Sequence, residues 1–99
     1  MGKYVYIYYA TSDTDSGDSE AWGQWFAALG DKLIDGGNPF NAGGQAVHRG
    51  GEMTIVDKPV TGYSIVTADS MKEATELAKG CPLVASKDGA VCVYEALPM

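Results

Sequence analysis

The chain has 99 residues, 45% of them hydrophobic and 10% aromatic, with seven Lys or Arg against thirteen Asp or Glu for a net charge of −6. That length, against the ~100–150 residues common for one domain, predicts a single packed domain over residues 1–99, and the apolar content excludes a disordered chain. The negative charge, with no basic stripe, speaks against DNA or RNA as a partner, since phosphates need clustered cations, and no apolar run approaches the ~20 residues that cross a bilayer.

In chain order, Tyr4-Val5-Tyr6-Ile7-Tyr8-Tyr9 is aromatic and β-branched and predicts a first strand. It lacks the apolar core and cleavage site of a signal peptide, and Tyr6 stands where a myristoylation motif needs Ser or Thr. With two irregularly spaced cysteines, Cys81 and Cys92, the expectation is a cytoplasmic protein with reduced thiols. A polar run from Thr11 to Ser19 holds Asp13, Asp15 and Asp18, acidic groups suited to the positive end of a following helix. Trp22, Trp25, Phe26, Leu29 and Leu33 recur at spacings of three and four, which predicts one helix from Ser19 that Gly36-Gly37 closes.

Gln45–His48 and Met53–Val56 are short strand candidates around the turn Arg49-Gly50-Gly51-Glu52. Thr61–Thr67 reads as a further strand. Ser70-Met71-Lys72-Glu73 is a capping box in which Ser70 accepts from the Glu73 amide and Glu73 reaches back to the cap amide. It opens a second helix with Met71, Ala74, Leu77 and Ala78 on one face, and Gly80 ends it. Ala90–Ala96 is the last strand. This order gives an α+β, ferredoxin-like βαββαβ fold with an extra hairpin strand and both helices on one face of an antiparallel sheet. In such a two-layer domain the free sheet face should be polar. Here Val5 and Ile7 lie on one face of the first strand and Tyr4, Tyr6 and Tyr8 on the other, while Val91 and Val93 oppose Cys92 and Tyr94. An uncovered apolar sheet face predicts a homodimer packed sheet to sheet.

Trp22-x-x-Trp25-Phe26-x-x-Leu29-Gly30, Asp35-Gly36-Gly37-Asn38-Pro39, Gly62-Tyr63-Ser64-Ile65-Val66 and Ala78-Lys79-Gly80-Cys81-Pro82 together resemble the YCII-related family. The chain is most similar to its DGPF branch, whose signature falls at Asp57-Lys58-Pro59-Val60 with Lys58 and Val60 in place of Gly and Phe. The resemblance implies the dimeric α/β-barrel version of the fold. Some members are credited with a His–Asp pair, and one branch eliminates chloride from a hydroxylated aromatic ring. The matching positions here carry no histidine in the first helix and Cys81 before Pro82, so that chemistry does not carry over.

Catalytic candidates reduce to His48, Asp57 and Asp35. His48 is the lone histidine; it reads either as a proton-transfer group beside Asp57 or, the preferred reading, as an exposed hairpin residue. Asp35, at the expected helix end, opposes the dipole and so either organises the glycine loop or binds a ligand. Cys81 reads as a small buried thiol, because a helix C-terminus does not activate sulfur. The residue spacings match no zinc, calcium or nucleotide site, so neither a metal nor a cofactor is expected. The expected cleft lies between the first helix, the Asp35–Asn38 loop and the hairpin, with Trp22, Asp35, Asn38, Tyr63 and Cys81 as ligand contacts. It would bind or transform a small polar or aromatic metabolite. The alternative is a non-catalytic interaction module that meets a protein partner through Asp13–Asp18.

Overall fold

The computed structural model describes residues 1–10, 19–41, 43–55 and 60–98. Its elements are β1 (Gly2–Tyr9), α1 (Ser19–Leu29), β2 (Leu33–Asp35), β3 (Gln45–Val47), β4 (Met53–Ile55), β5 (Val60–Ala68), α2 (Met71–Ala78) and β6 (Ala90–Ala96). The main sheet has the antiparallel order β2-β5-β1-β6, and β3 and β4 pair only with each other. Without the hairpin this is a ferredoxin-like α+β fold, the first and third of its four sheet strands lying side by side at the centre.

The register sorts the side chains into two faces. Tyr6 stands opposite Ser64 and Val93, and Tyr8 opposite Gly62 and Val91. These point toward the helices, and Tyr4, Tyr6, Tyr8 and Val66 are buried there with Trp25, Leu29, Ala74, Ala78 and Leu83. Packing is mostly aromatic: Trp25 stacks on Tyr6 at 5.9 Å and on Phe26 at 5.4 Å, while Trp22 meets Tyr8 edge-on at 5.1 Å. Buried aromatic polar atoms need partners. The Tyr6 hydroxyl donates to the Ala74 carbonyl at 2.6 Å and Trp25 Nε1 donates to the Leu77 carbonyl at 3.0 Å, bonds that tie α2 to β1 and to α1. The opposite face carries Val5, Ile7, Tyr63, Ile65, Cys92 and Tyr94 in matching register. Among the described residues no helix covers it, and Tyr94 is 57% exposed.

The first helix departs from the sequence expectation. It ends at Leu29, and Gly30 (φ 58°) opens one turn of 3-10 helix. Leu33, the last member of the apolar stripe, is extended and pairs with Val66 in the sheet. A residue four positions on from Leu29 points at the same core whether the chain continues as helix or turns into the edge strand, so periodicity does not separate the two. Asp35 therefore lies at a strand end, and the dipole argument for it falls. The capping box is present in part. Ser70 Oγ accepts from the Glu73 amide at 3.1 Å, but Glu73 Oε1 accepts from the Asp69 amide at 3.2 Å and from Lys32 Nζ at 2.7 Å. Among the described residues, no helix is long and apolar enough to cross a membrane.

Candidate functional site

A cavity of about 490 Å³ opens between α1 and the sheet, where β1 ends and β5 begins. Trp22 and Phe26 form its helical wall, Tyr8 and Leu83 its floor, and the segments Gly36–Pro39 and Thr61–Tyr63 its rim. The rim depends on two glycines. A Cβ on Gly37 (φ 75°) would stand 1.6 Å from the Tyr63 carbonyl oxygen, and one on Gly62 would stand 3.0 Å from the Asn38 carbonyl oxygen. At Gly37 only glycine fits, while a side chain at Gly62 would press the two backbones slightly apart. Asp35 sets the turn: its Oδ1 accepts from the Gly37 amide at 2.8 Å. The Phe40 amide then donates to the Thr61 carbonyl at 2.8 Å, and the Phe40 ring lies 5.7 Å from that of Tyr63.

The floor holds a short polar relay. The Tyr8 hydroxyl donates to Ser64 Oγ at 2.7 Å, and Ser64 Oγ donates to the Gly36 carbonyl at 2.7 Å. Ser64 is fully buried, the one polar residue in the buried core among the described residues. Burial pushes the Tyr8 phenol well above its ordinary range, and the Ser64 bond only partly offsets this. Tyr8 thus stays a neutral phenol near neutral pH. Its proton is committed to Ser64, so toward the cavity it presents an accepting lone pair. Asn38 Nδ2 donates to the Tyr63 hydroxyl at 3.3 Å, fixing the outer rim. The lining combines aromatic faces, backbone edges and a few neutral polar groups, the composition of a small-molecule pocket.

The cavity brings together three of the sequence candidates, Trp22, Asn38 and Tyr63. Asp35 stands behind the rim and shapes it. His48 is exposed on the hairpin, its Nε2 2.9 Å from Thr54 Oγ1 across the hairpin, and the hairpin does not line the cavity. Cys81 is buried in the core with its thiol pushed up to about 11 by burial, a protonated packing group at neutral pH. Asp57 and the run holding Asp13, Asp15 and Asp18 lie outside the described residues. Sequence reading missed Tyr8, Phe26, Thr61, Gly62 and Ser64. Ser64 left a signal: it falls among the otherwise apolar core-facing positions of β5, where a buried hydroxyl needs partners.

Residues 5–99 match the family model of the YCII-related domain, and the chain belongs to that family. No curated protein and no solved structure matches the chain.

Proposed function

We propose, from membership of the YCII-related family together with the cavity, that this domain acts as a homodimer and that each copy binds one small aromatic metabolite. The observation that carries the reading is the placing of Trp22, Phe26 and Tyr8 around one cavity whose opposite rim brings two backbone segments together at Gly37 and Gly62. Aromatic walls favour a flat ligand through stacking and edge contacts. The Tyr8 lone pair and the rim peptides suit a ligand with hydroxyl or amide donors. The homodimer draws support from the uncovered sheet face, where Val5, Ile7, Ile65, Cys92 and Tyr94 share one side in register. A monomer seldom leaves such a patch in water when it exceeds about 300–600 Å².

The test is a thermal-shift screen against aromatic and hydroxylated metabolites, followed by tryptophan fluorescence titration. A ligand at ~100 times its dissociation constant adds about 2.7 kcal/mol of stability, a midpoint rise on the order of 10 °C or more in a domain of this size. The expected hit perturbs tryptophan emission, and Trp22→Ala abolishes the shift. A silent screen on folded protein would reject the metabolite reading and favour the interaction module.

A further inference from the structure

Among the described residues, the hairpin β3–β4 forms a sheet of its own, an arm apart from the main sheet. Its strands are three residues each and, among the described residues, pair only with each other. Val47 and Met53 are directly paired and Ile55 lies on the same side, opposite Gln45. These three apolar side chains are 70%, 60% and 76% exposed. A two-stranded hairpin standing alone in water is marginal at best, so an apolar stripe on one predicts a surface that receives it. The molecule is drawn out accordingly, with a radius of gyration of 14.5 Å and extents of 42 × 37 × 19 Å, against about 13 Å expected for a compact chain of 100 residues.

We infer that the receiving surface is a second copy of this chain, so that each protomer clasps its partner with the arm. This rests on the homodimer proposed above and adds the element that secures it. Charge selects the occupant. Residues 45–55 hold one arginine and one glutamate, so the net charge of −6 falls wholly outside the arm. On the open face of β1, β5 and β6, which takes every second side chain from Lys3 to Ile7, Tyr63 to Thr67 and Cys92 to Ala96, the one charge is that of Lys3, since Glu95 pairs with core-facing Tyr4. The arm and the open face are thus two surfaces by which one acidic copy approaches another without repulsion. They also share the same need, since each is apolar and uncovered. A two-fold dimer meets both at once, each arm lying on the same patch of the other copy.

The experiment is sedimentation equilibrium on the whole protein, comparing wild type with the triple variant Val47→Ser, Met53→Ser, Ile55→Ser and with Tyr94→Lys. All four side chains are exposed in one copy, so neither variant disturbs the protomer; Met53→Lys alone serves as a second arm variant. The clasp predicts that the arm variants weaken the dimer at least about 100-fold, the effect of losing several buried apolar contacts. If Tyr94→Lys dissociates the dimer and the arm variants leave it intact, the clasp is wrong and the sheet-to-sheet dimer stands. A wild-type chain that stays monomeric at high micromolar concentration overturns both.

Discussion

Ser64 lies behind the cavity, joining its floor to its rim by accepting from Tyr8 and donating to the Gly36 carbonyl, in a position with no access to water. Ser64→Ala leaves a buried phenol and a buried carbonyl with no partner, each an expensive state. The expected loss is about 1–3 kcal/mol, read as a lower urea midpoint at unchanged slope. Because Gly36 begins the rim, the same variant should also reduce ligand response in the thermal-shift screen. At this scale the sequence was legible where a residue type speaks for itself. Trp22 on a helical stripe, and Asn38 after a glycine pair, are visible without coordinates. The relay was not, because it joins residues 28 and 56 positions apart, and only the strand register puts them in line.

Elements show the same division. The second helix was readable to its first residue because its signal is local: Ser70 caps the Glu73 amide. Ser70→Ala should cost about 1 kcal/mol, the usual value of a lost N-cap, and thermal unfolding of the variant would show it. Glu73 adds a non-local duty, since its carboxylate also takes Lys32 from the turn after α1. The hydrogen bond from Lys32 holds the Glu73 carboxyl below its ordinary value, followed by the bond from the Asp69 amide. The first helix was misread at its end because Leu33 satisfies the core in either conformation. What decides is Gly30 in the left-handed region together with an open edge on β5, and the second of these is a tertiary fact. The hairpin strands were found, but not that they stand apart from the main sheet.

For the whole molecule, the core is unusually phenolic, and this gives it a characteristic response to alkali. Burial pushes Tyr6 up to about 12 and Cys81 up to about 11. In each case the unfolded chain releases its proton at a lower pH than the folded one. Their contribution is fully present below the unfolded values, the ordinary 9.0 for cysteine and 10.0 for tyrosine, and is lost as pH rises through the folded values. Urea midpoints should therefore hold steady around neutrality and fall progressively above pH ~9. A flat profile to pH ~11 would show that these groups are not buried in solution.

The two ends of the arm have a consequence of another kind. In sequence, residues 41–44 join the segment Gly36–Phe40 to β3, and residues 56–59 join β4 to Val60-Thr61; the segments Gly36–Pro39 and Thr61–Tyr63 supply the rim of the cavity. If the proposed clasp forms, holding the arm would also remove freedom from that rim, and a ligand in the cavity would stiffen the roots of the arm. Self-association and ligand capture would then be linked equilibria, each strengthening the other by the same factor. The apparent affinity for the ligand would climb with the concentration of the protein itself, so its abundance would set its sensitivity.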